Sequence, residues 1–152
     1  MSELQRTLEW FQQAIPEPTD KQKCIQIGCH IEEFSEMLWA LGINSKAREL
    51  DNLADFFKSC DEQAMWHIKQ SCKVELLDSI VDQEVTATGI CHMMGFDLLG
   101  ALAEVNRSNF SKFEDGKPVF DENGKIKKGK YYTGPNLTNM IGDINEQIKG
   151  KS

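Results

Sequence analysis

The apolar positions of the chain recur at helical spacing along most of its length. Leu4, Leu8, Trp10 and Phe11 mark a short amphipathic helix over residues 3–13, which Pro16 and Pro18 end. Thr19 or Asp20 is placed to cap a long second helix reaching about Leu41, and Gly42 supplies its stop. Ile27, Ile31, Phe34, Leu38 and Leu41 form the main apolar stripe of that helix. Ser45 is the expected cap of a third helix, which carries Ala47, Leu50, Leu53, Ala54, Phe56 and Phe57. After an ambiguous break at Ser59-Cys60-Asp61, residues 62–72 either continue this helix or form a short one of their own. A long helix is predicted over about 73–94, with Leu76, Leu77, Ile80, Val81, Cys91 and Met94 on its broad apolar side. Gly95 ends it, and Asp97 can start another over about 98–108. Beyond Lys112 the pattern changes. Asn123-Gly124 between Val119-Phe120 and Lys125-Ile126 suggests a short hairpin, and a last helix is expected from Asn136 to Ile148. The expectation is an all-α bundle, one domain over residues 1–152, with a basic loop at 112–135.

Two of the predicted helices gather carboxylates on one side. Glu32, Glu33 and Glu36 fall within about 100° of one another at 100° per residue, and Glu75, Asp78 and Asp82 within about 60°. Like charges at i,i+3 and i,i+4 repel. Water around an ordinary solvated face can offset this, and so can a divalent cation. Hard cations such as Mg²⁺ take a few carboxylates together with waters and phosphate oxygens. Ile25, Cys29 and Trp39 lie on or beside the acidic side of the first helix, which suggests acids lining an interior cleft. On the second helix the acids oppose the main apolar side, as on a solvated face.

Composition narrows the field. The net charge of −7 disfavours a general nucleic-acid binder. No run of about 18 apolar residues suggests a membrane span, and Met-Ser-Glu-Leu-Gln-Arg at the start has no apolar signal core. Five cysteines without a CxxC pair suggest reduced thiols in a cytoplasm. With His30, His67 and His92 they make no zinc pattern. Basic charge is concentrated late: residues 112–130 hold six lysines. Glu104 to Lys112 puts Arg107, Asn109 and Lys112 at a helix end, where they either complement the helix dipole or meet phosphate and sugar. Lys125, Lys128 and Lys130 lie in a loop that either stays solvated or closes over a polyphosphate. It is not a P-loop.

Taken in order, Glu32-Glu33-x-x-Glu36, Glu75-x-x-Asp78 with Asp82, Glu104-Val105-x-Arg107-Ser108-Asn109-x-Ser111-Lys112, Asp115-Gly116-Lys117-Pro118-Val119 and Gly124-Lys125-x-x-Lys128-Gly129 resemble the MazG-like all-α nucleoside triphosphate pyrophosphatases. That superfamily also includes dimeric dUTPases and phosphoribosyl-ATP pyrophosphohydrolases, and the longer pattern is similar to its bacterial and phage subgroup. The resemblance covers roughly residues 28–137. A wider separation of Glu36 from Glu75 departs from it, as does Gln83-Glu84-Val85-Thr86 where an aliphatic–aromatic pair is usual.

The resemblance implies hydrolysis of a nucleoside triphosphate, chiefly a deoxynucleotide, between the α and β phosphates. It implies Mg²⁺, with Mn²⁺ as a substitute, held by Glu33, Glu36, Glu75 and Asp78. Glu32 and Asp82 would be further ligands or bases for the attacking water. Arg107, Asn109 and Lys112 would contact sugar or phosphate, and Lys125, Lys128 and Lys130 the leaving pyrophosphate. A homodimer or homotetramer is implied, with neither nucleic acid nor membrane as partner. Two alternatives remain: a phosphoribosyl-ATP-type hydrolase, and a helical nucleotide-binding protein without turnover.

Overall fold

A computed structural model describes residues 1–142. Within them the chain is all-α: α1 (Glu3–Ala14), α2 (Asp20–Ala40), α3 (Asn44–Lys58), α4 (Glu62–Gln70), α5 (Lys73–Met94) and α6 (Leu98–Phe110), then a 3₁₀ turn at Thr138–Met140. The expected helix from Asn136 to Ile148 is met by that single turn as far as Gly142, and its remainder lies outside the described residues.

The helix ends follow from local chemistry. Ser2 and Thr19 each form a capping box with the glutamine three residues on, Gln5 and Gln22. Asp61 accepts from the Ala64 N–H and Asp97 from the Gly100 N–H. The break at 59–61 therefore separates two helices, with Cys60 in the left-handed region at φ 54°. Gly42 and Gly95, at φ +77° and +72°, close α2 and α5 alike. In each case the glycine N–H and the next N–H turn back to carbonyls of the last turn, Trp39 and Leu38 in α2, His92 and Cys91 in α5. This closure corrects one expected cap. Ile43 is already held by Leu38, so α3 begins at Asn44 behind Ile43 with no side-chain cap, and Ser45 lies inside the helix.

The backbone gathers into two compact units, Glu17–Lys73 and Met1–Pro16 with the described residues from Val74 on. In the first unit α2 and α3 pair as an antiparallel hairpin. Their seam is made of small residues: Gly28 and Ser35 on α2, Ala47 and Ala54 on α3, all buried. A Cβ on Gly28 would stand 2.7 Å from the Ala54 carbonyl oxygen, so only glycine allows this approach. The inward face of α2 is thus Cys24, Ile25, Gly28 and Ser35. The expected apolar stripe does not form the core: Phe34 and Leu41 are exposed, and Ile27, Ile31 and Leu38 are half-buried. Close backbone packing rewards the absence of side-chain bulk, which a hydrophobicity pattern does not register.

In the second unit α1 lies against α6. Trp10, Ala14 and Phe113 form the buried cluster, with Phe11, Ile15, Phe110 and Ile126 around it. Trp10 stacks on Phe113 at 5.7 Å between ring centroids, and its indole N–H donates to the Asn109 carbonyl at 2.9 Å. Asn106 is buried between the helices. Its amide donates to the Glu3 carbonyl and carboxylate, both at 2.9 Å, and its oxygen accepts from the Thr7 hydroxyl at 2.8 Å. The expected hairpin appears as an antiparallel bridge between Phe120 and Ile126.

Gly28→Ala should lower the unfolding free energy by about 1–3 kcal/mol, as overpacking does. Urea denaturation followed by helical CD measures this, and an unchanged midpoint would mean that α2 and α3 do not meet at Gly28.

Candidate functional site: exposed carboxylates and an anchored basic loop

Closure of the α2–α3 seam decides how the α2 glutamates are disposed. Gly28, Glu32, Ser35 and Trp39 fall on one stripe about 60° wide. Glu32 therefore meets α3, where its carboxylate pairs with Lys58 at 2.5 Å. Ser35 donates to Asp51 at 2.5 Å and the Trp39 indole N–H donates to the same carboxylate at 3.1 Å. These two donors, Ser35 first, hold the Asp51 carboxyl below its ordinary pKa. Asp51 was not singled out from the sequence, although it lies one turn along α3 from Ala47 and Ala54. Glu33 and Glu36 project off the seam and are exposed. The expected interior cleft is corrected accordingly: within this unit only Glu32 is drawn inward, and the partner recorded there is a lysine.

On α5, Glu75, Asp78 and Asp82 are exposed, and no residue of the helix is buried. Among the described residues, Glu36, Glu75, Asp78 and Asp82 carry no ion pair and no side-chain hydrogen bond. Their oxygen-only chemistry fits a hard divalent cation. A single helix face offers one ion only carboxylates at i,i+3 or i,i+4, and no group of three or more His, Cys, Asp or Glu able to hold a metal stands together among the described residues.

The basic residues are built into the second unit. Arg107 forms a fork with Glu104, at 2.7 and 2.8 Å, and also donates to the Thr133 hydroxyl at 2.6 Å and the Gly134 carbonyl at 3.0 Å. The Asn136 N–H donates to Glu104 at 2.9 Å. Hydrogen bonding from Arg107 and then from Asn136 pulls the Glu104 carboxyl down to about 2. Ser111 and Thr133 bond to each other, and the Gly129 N–H donates to the Lys112 carbonyl at 3.2 Å. A Cβ on Gly129 would lie 2.6 Å from that carbonyl oxygen, so glycine is required there.

The lysine loop is therefore tied at Gly129, Thr133 and Asn136. Lys128 and Lys130 place their ammonium groups over the rings of Tyr132 and Tyr131, at 4.8 and 4.9 Å, and Lys112 sits over Trp10 at 5.6 Å. Lys125 is exposed beside the hairpin turn, its N–H donating to Asp121 at 2.9 Å. Asn109 is half-buried, with its carbonyl engaged by Trp10. The structure thus brings Arg107, Asn109, Lys112, Lys128 and Lys130 into one unit around the α6 C-terminus. It also shows Glu104, Thr133 and Asn136 as the anchors, which the sequence hinted at only through the i,i+3 spacing of Glu104 and Arg107.

No family model, no curated protein and no solved structure matches the chain.

The depressed pKa of Glu104 fixes the sign of an acid effect. A carboxyl lowered on folding contributes its stability above its unfolded pKa, and that contribution is lost as pH falls from about 4.5 toward about 2. An NMR titration should give Glu104 a midpoint near 2, and Arg107→Met should raise it toward the ordinary carboxylate range. A Glu104 midpoint unaffected by Arg107→Met would mean that the fork does not form in solution.

Proposed function

We propose that this chain is a Mg²⁺-dependent nucleoside triphosphate pyrophosphohydrolase with a MazG-like bundle, cleaving a (deoxy)nucleoside triphosphate between the α and β phosphates. The observation that carries the reading is the unpaired charge of α5. On other helices four acids pair with a base three residues away: Glu3 with Arg6, Asp20 with Lys23, Glu49 with Lys46, Glu104 with Arg107. From Val74 to Asn106 there is no lysine or arginine at all, and Glu75, Asp78 and Asp82 stand at i,i+3,i+7 within that stretch. A surface kept acidic in this way suits an external cation.

In this reading the carboxylates that would supply Mg²⁺ ligands, with Mn²⁺ as a substitute, are Glu33 and Glu36 in the one unit and Glu75 and Asp78 in the other, with Asp82 a further ligand or the base for the attacking water. Bound by these carboxylates, such an ion would supply neutralisation of phosphate charge and a lowered pKa for water. Lys58 competes with any metal for Glu32, so the part of Glu32 is to orient its neighbours. Lys125, Lys128 and Lys130 bind the departing pyrophosphate. An exposed cation–π contact is worth only about 0.5–1 kcal/mol, so Lys128 and Lys130 exchange a tyrosine ring for a phosphate oxygen at small cost. Asn109 and Lys112 contact sugar or phosphate. Arg107, already forked to Glu104, holds residues 133–136 in place.

The absence of a three-acid cluster among the described residues favours one competing reading, a nucleotide-binding protein without turnover. A panel of NTPs and dNTPs with Mg²⁺ or Mn²⁺ decides between them. Release of pyrophosphate rather than orthophosphate from at least one nucleotide is expected, and binding without release from any would leave the competing reading. Glu36→Gln and Asp78→Asn should each lower turnover at least 100-fold with unchanged helical CD. Full activity in both would place the chemistry elsewhere.

A further inference from the structure

The cysteines take no part in nucleotide hydrolysis as proposed, and two of them meet within the first unit. Cys24 is fully buried on the inward face of α2, one turn before Gly28. The seam fixes what lies across from it. Ser35 reaches the Ala47 carbonyl, and Gly28 stands against Ala54 and Lys58. In an antiparallel pair, one turn back along α2 is one turn forward along the partner. Cys24 therefore faces the chain just after Lys58.

Cys60 occupies that place, in the turn between α3 and α4, at φ 54°. Its sulfur lies 3.4 Å from the Lys21 carbonyl oxygen, and the Ile25 N–H approaches the same sulfur. That carbonyl and that N–H belong to the helical turn that carries Cys24. Burial pushes both thiols up, and the neighbouring Cys60 pushes Cys24 further.

We propose that Cys24 and Cys60 form a reversible intrachain disulfide, made by exchange with a low-molecular-weight disulfide, which staples the open end of the α2–α3 hairpin. This inference does not rest on reading the carboxylates as metal ligands. Cys60 is half-buried and Cys24 has no exposed surface, so an incoming disulfide reaches Cys60 first. The Cys60 thiolate attacks one sulfur of the small disulfide, breaks its S–S bond and releases one small thiolate, which takes up the proton that Cys60 lost. The Cys24 thiolate then attacks the Cys60 sulfur, breaks the mixed disulfide and releases the second small thiol. Two protein thiols are oxidised and one small disulfide is reduced to two thiols, with no further reactant.

The nearest alternative partner on α2 is badly placed. Cys29 lies about 140° round the helix from Cys24, off the inward face. The staple also has a structural consequence. The hairpin is joined by chain at Leu41–Ile43, whereas its other end is held by non-covalent contacts. Linking Cys24 to Cys60 closes residues 24–60 into a ring and restricts the unfolded chain. Lys58, which pairs with Glu32, lies two residues before Cys60, so the oxidised form also holds that end of α3 against α2.

Folded wild-type protein equilibrated with oxidised and reduced glutathione in varied ratio, then alkylated and mapped by mass spectrometry without reduction, reads the pairing. A Cys24–Cys60 link is expected as the main protein disulfide at oxidising ratios, and excess dithiothreitol should return both thiols. The urea midpoint of the oxidised protein should rise by about 1 M or more, and Cys60→Ser should abolish that rise. No Cys24–Cys60 link at any ratio overturns the inference. So does glutathione retained on Cys60 as the final product, a main link between any other two cysteines, or a linked protein with an unchanged midpoint. The link is read on the unsubstituted chain, so a Cys60→Ser protein that fails to fold does not remove the test. Because none of these readings uses turnover, a failed nucleotide panel leaves this inference standing, and the reverse holds too.

Discussion

The first unit depends on how closely α2 can approach α3. Gly28 lets the Ala54 carbonyl come within van der Waals distance of the α2 backbone, and Ser35, Ala47 and Ala54 keep the seam thin. That approach fixes the rotation of α2, and with it the fate of three adjacent glutamates. Glu32 turns onto Lys58, while Glu33 and Glu36 turn to the surface. A ladder of polar bonds, from Ser35 and Trp39 to Asp51, then locks the register. Satisfied polar groups in a thin seam specify one alignment where interchangeable aliphatic side chains would tolerate several.

A comparable arrangement organises the second unit. Asn106 uses its amide and its carbonyl oxygen to join α6 to the first turns of α1, so α6 has one orientation. The outward side of the same helix carries Glu104 and Arg107, whose fork captures Thr133, Gly134 and Asn136. An exposed ion pair by itself contributes little. Here it is bonded further to three loop residues, and its effect is to tie residues 133–136 to α6 directly after the lysine-rich segment. The lysines are thereby gathered near Asn109 and Lys112 without any being buried.

The sequence made the elements legible and their faces less so. Glycine stops, capping residues and periodicity placed five of the six helices close to their observed bounds, because these signals act within one turn of chain, and left open whether α4 stands apart from α3. The cap at Ser45 failed because the α2 closure consumes Gly42 and Ile43 together, leaving α3 to start at once. The stripe Ile27–Ile31–Phe34–Leu38–Leu41 was legible as apolar yet is not the observed packing face, since contact at Gly28 depends on a partner carbonyl 26 residues away. Among candidate site residues, the grouping of Arg107 with Lys112, Lys128 and Lys130 could be anticipated from their order. The capture of Arg107 by Glu104 and of Glu32 by Lys58 could not, because both require the side-chain geometry.

Each unit leaves large apolar side chains exposed. A chain whose α2 spends its small residues on a tight seam leaves Phe34 and Leu41 at the surface, and its longest helix offers Leu77, Val81 and Val85 as well. Such surfaces are unfavourable in a lone chain and useful in an assembled one. On α5 the two kinds of surface occupy different arcs. The carboxylates Glu75, Asp78 and Asp82 span about 60°, and the valine–leucine stripe is centred roughly 90° from them. The edges of the two arcs, Asp78 and Val85, lie about 20° apart, so charge and apolar surface adjoin on α5 and a substitution at either edge acts on both.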